Sequence, residues 1–454
     1  MSISVSGGSA MGWGTLVVQT HTRLSKMAEP NPWVNILGLC LVCTYGTPLA
    51  DMLVHSPPLP LVIDYYDRDI TVEDEEAIIL ALAQRDRIRR IRFGLPFLKL
   101  QELVMAIDGE YPILEYLILV VPPAGVRRVL TIPETLQVPH LRHLAISCFV
   151  PRRFQLLTTA VAVGLVTLNL GFHHPSTYFQ PNVLLQSLSL MPQLEMLLIY
   201  FFSPVPNRNV EMQLIRAPTT THVTLPNLRL LALQAVSAYS EAVLSRITSP
   251  RLEEVQICYP KQLTFSVPQL VGFMGRTENL RFDRAEFNFC NGQVLVKVNP
   301  PRAGPETNMR PTASIKVDCW HLDWQVSSMA QIFNALSPIF SAVEHLTLAH
   351  EVHDRSFEEH NEVDRTEWRK LLRSFSKVKT LRIGDGLVGE LSRCLRLEDG
   401  EHPLELLSEL QELTYSGSGN ANDAFTPFID ARQNAGRPAT LVKSIDSIKV
   451  KVGC

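Results

Sequence analysis

Strong charge of one sign is missing from this chain. Its 454 residues carry 42 basic and 45 acidic side chains, for a net charge of -3. A nucleic-acid binder needs a basic stripe to displace counterions from phosphates, so no nucleic acid is expected as a partner. Long apolar runs are missing too. The run from Trp33 to Cys43 falls short of the roughly 20 residues that span a bilayer, and no membrane partner is expected. Arg23 and Lys26 precede that run, but it ends in Thr44-Tyr45-Gly46-Thr47-Pro48 without a small-x-small cleavage site, so it reads as a buried helix or strand. Crowded cysteines are absent as well. The eight, at Cys40, Cys43, Cys148, Cys258, Cys290, Cys319, Cys394 and Cys454, are scattered in the manner of reduced intracellular thiols, which points to the cytoplasm or nucleus.

Catalytic signatures are equally scarce. Gly384-Asp-Gly386 is not followed by Lys-Ser/Thr and cannot cradle a phosphate as a P-loop does. Cys40-Leu-Val-Cys43 has ligand-like spacing but no second pair to complete the four ligands of zinc. His350, Glu351, His353 and His360 cluster without the spacing of HExxH, in a charged stretch that reads as a solvated loop. No G-x-S-x-G elbow occurs. The expectation is a protein that is not an enzyme and takes no metal or cofactor.

What the chain does have is apolar content, 46% hydrophobic with 19% charged residues, enough to exclude general disorder. That content is periodic. One unit recurs: an apolar residue, two variable, a second apolar, one variable, a third apolar. It appears as Ile88-Ile91-Phe93, Leu114-Leu117-Leu119, Leu141-Leu144-Ile146, Leu165-Leu168-Leu170 and Leu194-Leu197-Ile199. It continues as Leu228-Leu231-Leu233, Leu252-Val255-Ile257, Val343-Leu346-Leu348, Val378-Leu381-Ile383 and Leu410-Leu413-Tyr415, with weaker copies opening at Leu280 and Ile315. Successive units start 24 to 35 residues apart, at or somewhat above the spacing of leucine-rich repeats.

Such a unit is a short strand whose last two anchors point into a core. One strand buries nothing alone; stacked neighbours form a continuous apolar wall, and a return element must cover it. Helices with suitable spacing are predicted at 73–84, 182–191, 240–248, 329–340 and 367–375, the first with Thr71 as N-cap and Asp74 three residues on. Prolines sit just before several strands, as in Pro139-His-Leu and Pro192-Gln-Leu, where they set an extended backbone. The turn position that usually holds Asn or Cys holds Phe149, His173, Phe202 and Val236 instead, which predicts uneven repeats. Longer loops are expected at 203–224, 299–312, 354–366 and 416–423.

The fold expected is therefore α/β: a leucine-rich-repeat solenoid, an irregular horseshoe with a parallel sheet on the concave side and helices on the convex side. Its organisation is expected as an N-terminal segment at 1–46, about twelve units over 47–435, and a C-terminal tail or cap at 436–454. Residues between the anchors turn to the concave face. There Arg92, Tyr116, Ile118, His143, Asn169, Met196, Leu198 and Leu230 are the candidate protein-binding residues, with Ile118, Met196, Leu198 and Leu230 forming an apolar patch. Either a partner covers that patch or the apolar segment Trp33 to Val42 folds back over it.

The succession from Thr47-Pro48-Leu49-Ala50-Asp51-Met52-Leu53-Val54-His55-Ser56-Pro57-Pro58-Leu59-Pro60-Leu61-Val62-Ile63-Asp64-Tyr65 into Arg87-Ile88-Arg89-Arg90-Ile91-Arg92-Phe93 and then the repeats carries a further signal. It resembles the F-box and leucine-rich-repeat proteins expanded in mushroom-forming fungi, over roughly residues 47 to 430. The resemblance implies a substrate-recognition subunit of a cullin-type ubiquitin ligase, in which an F-box grips a Skp-family adaptor and the solenoid holds a protein target. Residues 1–46 lack the Leu-Pro start and Cys-Arg-x-Trp segment of an F-box, so the box is missing or degenerate. The alternative is a structural or sensor scaffold with no ligase connection.

Overall fold

The computed structural model describes residues 40–55, 58–66, 69–122, 128–147, 159–173, 180–202, 221–280, 282–300, 312–351, 364–397, 405–416 and 424–444. Outside these lie Trp33 and most of its apolar run, Cys148, Phe149, His353, His360, Cys454 and most of the four expected loops. The described residues form two compact units, 40–173 and 180–444. None of their helices is long and apolar enough to cross a membrane.

In the first unit, strands β1 (Leu41–Cys43), β2 (Leu61–Tyr66), β3 (Ile88–Gly94), β4 (Tyr116–Val120), β5 (His143–Ser147) and β6 (Thr167–Phe172) pair in chain order and in parallel. Helices Leu49–His55, Val72–Leu82, Phe97–Ala106 and Thr159–Gly164 connect them. The register is the one the repeat demands. Ile63, Ile91, Leu117, Leu144 and Leu168 form one row and Tyr65, Phe93, Leu119, Ile146 and Leu170 the next, all buried. Each leucine so buried contributes about 1.5–3 kcal/mol of transfer free energy. Helix Val72–Leu82 begins on a capping box: Thr71 Oγ1 accepts from the Asp74 amide at 3.2 Å and Asp74 accepts from the Thr71 amide at 3.1 Å. The other Asp74 oxygen accepts from the Gly46 amide at 2.9 Å, tying the turn after β1 to the helix.

The second unit contains β7 (Met196–Phe201), β8 (Val223–Thr224), β9 (Leu230–Gln234), β10 (Ile247–Thr248), β11 (Glu254–Pro260), β12 (Arg284–Cys290), β13 (Gln293–Asn299), β14 (Ala313–Asp318), β15 (His345–Glu351), β16 (Thr380–Ile383), β17 (Glu412–Ser416) and β18 (Thr440–Ser444). Their order is β7-β9-β11-β14-β13-β12-β15-β16-β17-β18, with β8 and β10 a separate parallel pair. The helices run at Pro181–Leu188, Ser237–Leu244, Pro268–Arg276, Leu322–Phe340, Arg365–Arg373, Val388–Leu395 and Thr426–Asn434.

Three details differ from the expectation. The sheet is not wholly parallel: β13 runs antiparallel to both β12 and β14. The cause is the two-residue turn Asn291-Gly292, where Gly292 takes φ +89°, a conformation that costs a side-chained residue steric strain. Chain order is thereby inverted, and β14 rather than β12 joins β11. Pairing also extends beyond the expected limits, since β1 lies within 1–46 and β18 within 436–454, each joined in parallel to its neighbour. Finally, the helix predicted at 240–248 ends at Leu244, and Ile247–Thr248 is strand. Under the inserted hairpin sits an aromatic cluster: Phe287 lies 5.0 Å from Phe333, and Phe289 meets Trp368 edge-on at 5.4 Å.

Candidate protein-binding face

Because the anchors of β2 to β6 point to the buried side, the residues between them turn to the opposite face, and they line up across the strands. One row is Arg90, Tyr116, His143 and Thr167; the next is Asp64, Arg92, Ile118, Ala145 and Asn169. All nine are half-exposed. In the first row the Arg90 guanidinium lies 5.6 Å from the Tyr116 ring centre. Tyr116 stacks on His143 at 4.2 Å with 6° between planes, and His143 Nδ1 is 3.0 Å from Thr167 Oγ1. In the second row Arg92 pairs with Asp64 at 3.4 Å and lies 4.1 Å from the Tyr66 ring. Gly94 makes that contact possible: a Cβ there would sit 2.4 Å from the Tyr66 ring, so only glycine lets the ring lie across β3.

The electrostatics of the face are those of a cation held with little water. Burial pushes the Arg90 pKa down, the Asp64 charge opposes this and the Arg92 charge adds to it. A guanidinium stays protonated under such pressure, so the face keeps a positive charge that is poorly solvated. Asn169 Oδ1 is buried without a hydrogen-bond partner. Aromatic rings, arginines and one aliphatic side chain, Ile118, are the composition that dominates protein–protein contact energies.

Of the eight expected residues, Arg92, Tyr116, Ile118, His143 and Asn169 therefore share two adjacent rows of the first unit. Met196, Leu198 and Leu230 belong to the second. There Met196 is half-exposed, but Leu198 and Leu230 keep only 5% and 4% of their surface, a correction to the exposed apolar patch expected around them. Met196 pairs in register with Leu230, which pairs with Glu254, and Leu198 pairs with Ala232. Their register neighbours Glu254 and Ala232 are themselves buried, so protein rather than water stands beside these leucines. Tyr66, Asp64 and Arg90 complete the first unit's face and were not among the candidates. For Asp64 and Tyr66 the alternation in β2 was the available signal, hidden because β2 precedes the first full repeat; Arg90 lies inside that repeat and turns outward beside Arg92.

Among the described residues no group of three or more His, Cys, Asp or Glu is placed to hold a metal ion. Cys40 and Cys43 are both buried; burial pushes the Cys43 thiol up, and its Sγ lies 3.3 Å from the Tyr65 hydroxyl. Burial likewise pushes the Cys319 thiol up to about 12, and such thiols are not nucleophiles at neutral pH. His350 sits in β15 with its pKa lowered by burial, while His353 and His360 lie outside the described residues. In comparison with known proteins, no family model and no curated protein matches the chain.

Proposed function

We propose that the chain is a non-catalytic leucine-rich-repeat solenoid that binds a protein through the helix-free face of its first unit. The observation that carries this is the row Arg90–Tyr116–His143–Thr167, an aromatic stack ending in a poorly solvated guanidinium on a half-exposed sheet face. A fold has no need of such a row for its core; a partner that supplies carboxylates and apolar groups would use it. The partner role proposed is substrate recognition for a cullin-type ubiquitin ligase in the cytoplasm or nucleus, on the strength of the resemblance over residues 47 to 430.

Co-expression of the full chain with a Skp-family adaptor tests the ligase role. A stoichiometric complex on size exclusion supports it, and separate elution of the two proteins removes it. A second reading, a scaffold with no ligase connection, draws support from β1: residues 41–43, at the end of the segment where an F-box would lie, pair as a strand with β2 rather than continuing a helical box. Under that reading the face still binds its partner, and the adaptor does not.

A further inference from the structure

The helices of the first unit carry a second apolar surface that the core does not use. Helix Val72–Leu82 buries Asp74, Ile78, Ala81 and Leu82 toward the sheet. At 100° per residue, Val72, Glu76, Ile79 and Ala83 fall on the opposite side, and Leu80 beside them. Val72 is 69% and Ile79 47% exposed. The adjoining helix Phe97–Ala106 repeats the arrangement: it buries Leu100, Leu103 and Val104, and leaves Leu98 and Met105, one above the other seven residues apart, 62% and 52% exposed. Val54, on helix Leu49–His55, is exposed as well. A helix apolar on two opposite sides is one that packs on both. A shallow depression of about 570 Å³ lies over Val72, Ile79, Leu80 and Ala83.

The charge on these helices is mainly acidic, with Arg85 and Arg87 just beyond the end of helix Val72–Leu82 and Arg128 over the Phe97 ring. Asp51, Glu73, Glu75, Glu76 and Glu102 stand on these three helices, and Lys99 is their one lysine or arginine. Lys99 is already held by Glu75 at 2.9 Å and Glu102 at 3.1 Å. The Glu75 pair joins the two helices and the Glu102 pair lies within one of them, which leaves Asp51, Glu73 and Glu76 without a cation on these helices to offset them. An apolar stripe with an acidic rim is complementary to an apolar stripe with a basic rim.

We propose that the outer helix surface of the first unit, centred on Val72, Ile79 and Leu80 and continued by Leu98 and Met105, is the docking site for an amphipathic helix with basic flanks from a partner protein. Such a helix lays its apolar residues, spaced by three and four, along the stripe and sets its lysines or arginines against Glu73 and Glu76. This surface is separate from the sheet face proposed above and stands or falls without it.

The test uses the full chain and three fluorescein-labelled peptides of about 18 residues, long enough for five helical turns. One is a Leu/Lys amphipathic helix, one has the same composition scrambled, and one is the Leu/Glu counterpart. The Leu/Lys helix is expected to bind, with the scrambled and Leu/Glu peptides at least about tenfold weaker. Ile79→Ser combined with Leu80→Ser is expected to weaken it about tenfold, as is Leu98→Ser with Met105→Ser, each variant melting as the wild type does. Val183→Ser with Leu190→Ser, exposed apolar residues of the second unit, leaves binding unchanged. Equal binding of all three peptides, no binding of any, or full affinity in both first-unit variants overturns the proposal. So does sedimentation showing that the unliganded chain dimerises and that the Ile79/Leu80 variant does not, since the stripe would then belong to a second copy.

Discussion

Helix Val72–Leu82 and helix Arg365–Arg373 serve their units in the same way and differ on the side turned from the core. The second buries Trp368, Arg369, Leu371 and Leu372, and presents Lys370 and Arg373 outward, with Lys370 paired to Glu367 at 2.7 Å and Arg373 bound to Glu405. The first buries Asp74, Ile78, Ala81 and Leu82 and presents Val72, Ile79 and Leu80. A charged exterior keeps a helix layer in water at no loss to its core, so the apolar exterior of the first unit is not a requirement of the repeat. The same contrast holds between the sheet faces. The first unit presents half-exposed rings and guanidinium groups, and the second buries its leucines Leu198 and Leu230. Both differences are the grounds on which recognition is proposed for the first unit.

Substitutions can sharpen or break that contrast. The largest effect is expected at the core of the second unit's helix: Trp368→Ala removes a fully buried ring packed on Phe289 and should cost about 3–5 kcal/mol in denaturant unfolding. Ile79→Ala, on the outer side of the first unit's helix, should change stability by less than about 0.5 kcal/mol; a cost near that of Trp368→Ala would mean the stripe belongs to a core. Between the two lies Thr71→Ala, which removes the capping box of helix Val72–Leu82 and should cost about 1 kcal/mol. Arg373→Ala, at an exposed ion pair, should cost at most about 1 kcal/mol and less in high salt.

The smallest effect is a dependence on pH. Burial lowers the pKa of His350 in the folded chain, so the unfolded chain takes up its proton first as the pH falls below about 6.5. The contribution of neutral His350 is thus fully present above that pH and is lost as the pH falls toward the depressed folded value. Thermal midpoints at pH 7.5 and 5.5 should differ less in His350→Gln than in the wild type. An unchanged difference would show that other groups set the acid limit.

The ten full repeats were legible because leucine at fixed spacing leaves a strand only one way to bury itself, and nearly every anchor named from the pattern is buried in register. The hairpin was not. Leu280 and Ile315 mimic the openings of ordinary units, although Asn291-Gly292 between the alternating runs Glu286–Cys290 and Gln293–Val298 is itself a turn signal. Arg92, Tyr116, Ile118, His143 and Asn169 could be placed on one face from alternation alone. The burial of Leu198 and Leu230 could not, because it depends on which side chains stand beside them in neighbouring strands, a property of register. The outer stripe of helix Val72–Leu82 was concealed for a related reason: in EDEEAIILALAQ every apolar residue looks like core until the sheet fixes which side faces it.

Affinity capture of proteins bound to the full chain, compared between the wild type and Arg90→Glu combined with Tyr116→Ala, tests most directly that recognition resides on the first unit's sheet face. The expected result is a defined set of partners lost at least about tenfold in the variant while its thermal midpoint stays near that of the wild type. Recovery of the same partners in the same amounts by the folded variant would contradict it.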